Sequence, residues 1–166
     1  MTLFLDEIAT PLGPVALASD GVALRALWFE TAAGLAAGLS RRLGSQALRE
    51  KSDPQGFSAC VRAYFAGELG ALGDLPAAPD GTAFQRRVWA ELRRIGLGHT
   101  RSYGELAARL GLPRAARAVG LANGRNPVAL VVPCHRVIGA DGSLTGYAGG
   151  VDRKRWLLAH EGALLA

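Results

Sequence analysis

Apolar positions recur with two different rhythms along this chain, and the rhythms place its elements. Pro14–Ala18 and Val22–Phe29 are short apolar runs separated by Ser19-Asp20-Gly21, the pattern of strand, turn and strand. Residues 32–49 carry Leu35, Leu39 and Leu43 at four-residue spacing, which predicts an amphipathic helix. Phe57, Cys60, Val61, Tyr64 and Phe65 continue a helical period, so Cys60 is expected as a small buried thiol on an apolar face. From Gly67 to Gly81 the chain is rich in Gly, Pro, Ala and Asp and reads as a linker. The expected division is an α/β domain with its linker over 1–80 and a second domain over 81–166.

The second part is punctuated by helix caps. Thr82 and Gln85 have the spacing of a capping box ahead of a helix carrying Phe84, Val88, Leu92 and Ile95, with Arg93 and Arg94 in its last turn and Gly96 to end it. Ser102 and Glu105 repeat the box and open a helix through Leu110. Gly111-Leu112 makes a tight turn, and Pro113 suits the first position of a third helix that runs to about Ala122 and closes at Asn123-Gly124. Two short helices joined by a Gly-containing turn form a helix-turn-helix pattern. Val128–Val132 then reads as a short strand, residues 139–150 as a glycine-crowded loop, and Asp152–Glu161 as a last helix with Trp156, Leu157 and Leu158 on one side.

Charge sharpens this division. Residues 1–81 hold six basic and nine acidic side chains, residues 82–166 thirteen and five, and 17 of the 19 basic residues are arginine. Such a one-sided excess marks either a surface for a polyanion or a merely solvated basic face. The opening Met1–Thr10 lacks the basic start and long apolar run of a signal peptide, and no segment is apolar over the roughly 18 residues of a membrane span. A cytoplasmic protein is therefore expected. The two cysteines, Cys60 and Cys134, form no CxxC pair and no zinc-ligand spacing with the three histidines, which predicts reduced thiols and no metal.

Candidate chemistry gathers around Cys134. It follows Pro133 and is flanked by His135 and Arg136, and cationic or imidazole neighbours favour the reactive thiolate. On a strand Cys134 and His135 would point to opposite faces, so the pair works only if the backbone turns there; otherwise Cys134 is a structural cysteine beside an incidental histidine. Glu161 ends the last helix, where the helix dipole disfavours a carboxylate. It is either solvated or partnered, and a histidine is a natural partner in a Cys–His–Glu relay. The helix around Ala115–Ala122 is nearly bare: Ala116, Ala118 and Gly120 leave Arg117 projecting alone. Such a surface either packs tightly on another helix or lies close against a shallow groove, whereas a major-groove reading helix carries longer polar side chains.

At Pro133-Cys-His-Arg-Val-Ile-Gly139 the sequence resembles the O6-alkylguanine-DNA alkyltransferases, or methylated-DNA–protein-cysteine methyltransferases. Supporting matches are Phe84-Gln85, Ser102-Tyr103-Gly104, Ala115–Gly120, Asn126-Pro127, Thr145–Gly150 and Trp156–Gly162, with a weaker likeness at Thr10–Pro14 and Tyr64-Phe65. The resemblance implies an N-terminal α/β domain with a ribonuclease-H-like sheet and a C-terminal α-helical, winged helix-turn-helix domain. It implies single-turnover transfer of an alkyl group from O6-alkylguanine, and from O4-alkylthymine as a further substrate, to Cys134. His135 would be the base acting through a water, Glu161 its orienting carboxylate, and Asn126 the brace between the DNA-reading helix and the active-site segment. Tyr103 would contact the flipped base, and Arg117 would fill the gap left in the duplex. Arg114, Gln85, Ala116, Ala118 and Gly120 would also meet DNA, through the minor groove. Tyr147, Ala148, Gly149 and Lys154 would border the alkyl pocket. Some members carry serine at the place of Ala148 and proline at that of Ala129, so the smaller side chains here bear on pocket size. No cofactor is implied, and a monomer is expected. Two other readings share parts of this pattern: a lesion-binding relative, which lacks the acceptor cysteine, and a cysteine hydrolase, which needs an oxyanion hole.

Overall fold

The computed structural model describes residues 1–44, 47–144 and 146–164, so Thr145 of the Thr145–Gly150 match lies outside the described residues. They form two compact units, Met1–Pro79 and Asp80–Ala166.

The first unit is built on strands β1 (Thr2–Thr10), β2 (Gly13–Ser19), β3 (Leu24–Trp28) and β4 (Ala47–Glu50) in the order β3-β2-β1-β4. Adjacent pairs are antiparallel except β1–β4, which is parallel. A parallel return needs a crossover, and α1 (Ala32–Leu43) provides it. Its Leu35 and Leu39 pack on Leu3, Leu5, Ala16, Ala18 and Ala26 of the sheet. Thr31 starts α1 by accepting the Gly34 N–H on its hydroxyl at 3.1 Å. The opposite face, marked by Asp6, takes α2 (Phe57–Phe65), whose Ser58 hydroxyl donates to Asp6 Oδ2 at 2.6 Å.

Three expectations for this unit change. The strand β1 was not foreseen, although Leu3 and Leu5 alternate with polar neighbours and are buried. The helix expected over 32–49 stops at Leu43 because Gly44 turns left-handed at φ 73°, and residues 47–50 become β4. Cys60 is only half-buried, since the inward face of α2 is Phe57, Ser58, Val61 and Tyr64. The expected linker is also partly docked: Leu72 is buried, the Leu24 N–H donates to Pro76 O, and the Ala78 N–H donates to Leu24 O, each at 2.9 Å.

The second unit is mainly helical: α3 (Ala83–Leu92), α4 (Tyr103–Arg109), α5 (Ala116–Gly124) and α6 (Val151–His160). Both capping boxes are formed, by Thr82 with Gln85 and by Ser102 with Glu105. The core of the unit includes Val88, Trp89, Leu92, Leu106, Val119, Leu157 and Leu158. Trp89 ties α3 to α5 by donating its indole N–H to Ala122 O at 2.8 Å. A short parallel pair, β5 (Arg101–Ser102) with β6 (Val137–Ile138), brings the start of α4 beside the segment after Cys134.

Two boundaries differ here. Pro113 does not open α5, because the Ala115 N–H donates to Leu112 O and makes residues 112–115 a turn with proline at its favoured second position. Val128–Val132 is no strand either. It is a buried turn in which Leu130 takes φ 70° and the Val132 N–H donates to Val128 O at 3.0 Å. Asn126 satisfies the backbone that a strand partner would have taken: its Oδ1 accepts from Val128 N at 3.0 Å and its Nδ2 donates to Val132 O at 2.8 Å.

Candidate active site

The buried turn delivers Cys134, His135 and Arg136 into one turn of 3₁₀ helix. The required break in the strand geometry is therefore present. The turn is fixed from two sides, since Asn126 holds Val132 O and Asn123, on α5, donates to Cys134 O at 3.4 Å. Cys134 is 2 % exposed and His135 is fully buried.

His135 Nε2 lies 2.9 Å from Glu161 Oε2, and Arg136 holds the same carboxylate with Nε to Oε1 at 2.8 Å and Nη2 to Oε2 at 3.2 Å. Arg136 Nη1 also donates to Ile95 O at 2.8 Å. Burial pushes the Glu161 carboxyl up, but the hydrogen bond of His135, the charge its ring gains when protonated at acid pH, and the guanidinium of Arg136 outweigh it, leaving a pKa of about 2. An ionised carboxylate only accepts, so His135 Nε2 carries the hydrogen. Burial pushes the His135 pKa down against the pull of Glu161, which keeps the ring neutral. Its Nδ1 is then the basic nitrogen, and it is buried with no hydrogen-bond partner among the described residues.

The electrostatics of Cys134 differ from the expectation of a favoured thiolate. Burial pushes the thiol pKa up, and this outweighs the opposing hydrogen bonds from Asn126 and Tyr147 and the charge of Lys154. Arg136 is committed to Glu161, so the cation acting on Cys134 is Lys154, on α6. Lys154 is fully buried, with Nζ 6.0 Å from the centre of the Tyr147 ring. Burial lowers its pKa and a Cys134 thiolate raises it, so each ion favours the other. Burial thus favours the neutral thiol of Cys134, and the neighbouring Lys154 opposes it.

The other expected residues fall into two groups. Tyr103, Tyr147, Lys154 and Asn126 gather around Cys134 or its turn, whereas Gly149 is buried and accepts from Arg153 Nη1 at 3.1 Å. A Cβ at Gly120 would stand 3.5 Å from Tyr103 Cδ1, and one at Gly146 would stand 3.7 Å from the Tyr103 hydroxyl, so the Tyr103 ring lies between α5 and the 146–149 loop. Burial and the nearby Cys134 both raise the Tyr103 pKa. Ala148 is exposed at the rim of that loop. Arg114, Arg117 and Ala118 are exposed on or just before α5, with Ala116 and Gly120 half-buried. Gln85 lies on α3, where its side-chain oxygen accepts the Thr82 N–H at 2.9 Å; capping is the role seen for it. Asn123 and the Arg136–Glu161 clamp were not anticipated. A glutamate closing α6 did signal a partner, but nothing in the order Cys-His-Arg says which neighbour takes it. Among the described residues no group of three or more His, Cys, Asp or Glu is placed to hold a metal.

The family model for the 6-O-methylguanine DNA methyltransferase DNA-binding domain matches residues 83–163. A methylated-DNA–protein-cysteine methyltransferase of Shigella flexneri is 49 % identical over 170 residues, covering 99 % of each chain. One from Mycolicibacterium paratuberculosis is 60 % identical over 112 residues, 66 % of this chain and 67 % of that one. The crystal structure of Mycobacterium tuberculosis OGT in complex with DNA is similar with a TM-score of 0.81 and 44 % identity, covering 96 % of this chain and 93 % of that one.

Proposed function

The chain belongs to the methylated-DNA–protein-cysteine methyltransferases, a family of direct-reversal DNA repair enzymes that move an alkyl group onto their own cysteine, and from that premise we propose that Cys134 is the acceptor and that His135 and Glu161 activate it. The observation that carries this assignment is the 2.9 Å contact of Glu161 Oε2 with His135 Nε2, which leaves Nδ1 basic in the same turn as Cys134.

The steps follow from the residues. An alkylated base inside a duplex is out of reach, so the nucleotide is extruded, at a cost of a few kcal/mol. The small residues of α5 let the helix lie against the minor groove, Arg117 fills the vacated place in the stack, and Arg114 and Gln85 assist at the phosphates. His135 Nδ1 takes the Cys134 proton through a bridging water. Sγ attacks the alkyl carbon, the S–C bond forms, the C–O6 bond breaks, and its electron pair goes to the guanine. Tyr103 supplies a proton to a ring nitrogen of the leaving base and is restored from His135. The net result moves the thiol proton to guanine and the alkyl group to sulfur. Lys154 stabilises the passing thiolate, and Tyr147, Ala148 and Gly149 line the alkyl side. O4-alkylthymine offers the same reacting bond and is a second substrate.

The order β3-β2-β1-β4 with a parallel last strand supports a ribonuclease-H-like first domain. The packed α4–α5 pair with β5–β6 supports a winged helix-turn-helix second domain, and compact units that divide at 79/80 support a domain division near residue 80. Two unpaired cysteines support a reducing, cytoplasmic setting, and a monomer suffices because one chain supplies every group named. The test is Cys134→Ser: it is expected to bind alkylated duplex with unchanged affinity and to transfer nothing. Transfer by this variant would overturn the assignment.

A further inference from the structure

α5 buries Val119, Ala122 and Asn123 and exposes Arg117, Ala118, Leu121 and Gly124. One of these is out of keeping with the rest. Leu121 is 64 % exposed, the most exposed large apolar side chain of the second unit among the described residues, with Leu97 next at 40 %. It stands one turn after Arg117, so the two side chains share the outer face of the helix. The neighbouring positions of that face are alanine and glycine, so nothing on α5 shields Leu121. Exposed Arg114 precedes the helix and exposed Arg125 follows it.

A lone exposed leucine needs no explanation by itself. This one sits at the centre of a face bounded by arginines, which is the charge that suits a phosphate-walled groove. The walls of the minor groove are deoxyribose edges, and apolar side chains are a recurring means of holding or wedging that groove. A leucine beside the small residues of α5 reaches deeper than they do. Resting on the reading of α5 as the DNA-docking helix, we propose that Leu121 is a DNA-contacting residue that packs on the minor-groove sugar edges next to the nucleotide displaced by Arg117. It adds affinity for duplex that is independent of charge and holds the groove while the base is out.

The test compares Leu121→Ala, Leu121→Met and Arg117→Ala with the parent protein on a duplex containing O6-methylguanine and on free O6-benzylguanine. Leu121→Ala is expected to weaken duplex binding by about tenfold, which is ~1.4 kcal/mol. The slope of affinity against salt stays unchanged, because no charge is lost. Leu121→Met is expected to restore most of the affinity, and reaction with free O6-benzylguanine is expected to be unaltered in both. An unchanged duplex affinity for Leu121→Ala, with Arg117→Ala impaired on duplex, overturns the role of Leu121 alone. If Arg117→Ala also behaves as the parent does on duplex, the docking of α5 itself is wrong. A change in self-association of Leu121→Ala without a change in DNA affinity assigns the patch to protein contact and overturns the proposal.

Discussion

Replacing Glu161 with glutamine keeps the shape of the side chain and removes one buried charge. In the parent protein the carboxyl pKa falls from an ordinary 4.5 to about 2. A difference of that size corresponds to about 3 kcal/mol of stability at neutral pH. Breaking a buried ion pair by removing one partner costs a similar ~3–5 kcal/mol. Here the stranded partner is Arg136, whose side chain is only 12 % exposed. Glu161→Gln should therefore lower the melting temperature on the order of 10 °C. Because the folded pKa lies below the unfolded one, the stabilisation is complete above pH 4.5 and is lost as pH falls toward 2. Urea unfolding across this range should show that loss in the parent and not in the variant. A separate loss starting below the ordinary imidazole value remains in both, since burial lowers the His135 pKa. The variant should also transfer more slowly by on the order of 10²-fold or more, because a glutamine amide can donate to Nε2 and push the hydrogen onto Nδ1. Equal stability at pH 7, or the same acid slope in both proteins, would falsify the buried clamp.

Three further outcomes are expected. Asn126→Ala removes the partners of Val128 N and Val132 O, so it should destabilise by roughly 2–4 kcal/mol, read by urea unfolding at pH 7, and slow transfer through displacement of Cys134. Lys154→Met removes the cation that opposes the burial of the thiol, so the pH at which transfer reaches half its maximal rate should move upward; an unmoved profile would exclude an electrostatic role. In the native protein a disulfide reagent should label half-buried Cys60 before Cys134, whose thiol is buried and pushed up in pKa; mass mapping that finds Cys134 labelled first would contradict the site described here.

Much of the second unit could be read from its residues because short-range chemistry decides it. Thr82 with Gln85 and Ser102 with Glu105 close their caps within four residues, so their spacing suffices. Glu161 was conspicuous for the same reason, since a carboxylate at a helix C-terminus is locally unfavourable and invites a partner. Where the deciding contact is distant, the sequence said less. An apolar run such as Val128–Val132 looks the same as a strand or as a buried turn, and the side chain of Asn126 makes the difference. The apolar period of 32–49 continues past Gly44, but pairing of Ala47–Glu50 with Thr2–Leu5 takes those residues from the helix. The full burial of Lys154 and the attachment of Arg136 to Glu161, away from Cys134, depend on where α6 packs, which no local pattern records.

In the proposed mechanism Cys134 accepts the alkyl group and keeps it. A thioether has no carbonyl for water to attack, and neither His135 nor Glu161 can activate its C–S bond, so each molecule should act once. The most direct measurement is intact and peptide mass spectrometry after titration with duplex containing O6-methylguanine. One methyl group per molecule is predicted, on the peptide holding Cys134 and not on that holding Cys60, with repair ending when lesions repaired equal protein present. Several lesions repaired per molecule, or methyl on Cys60, would contradict it.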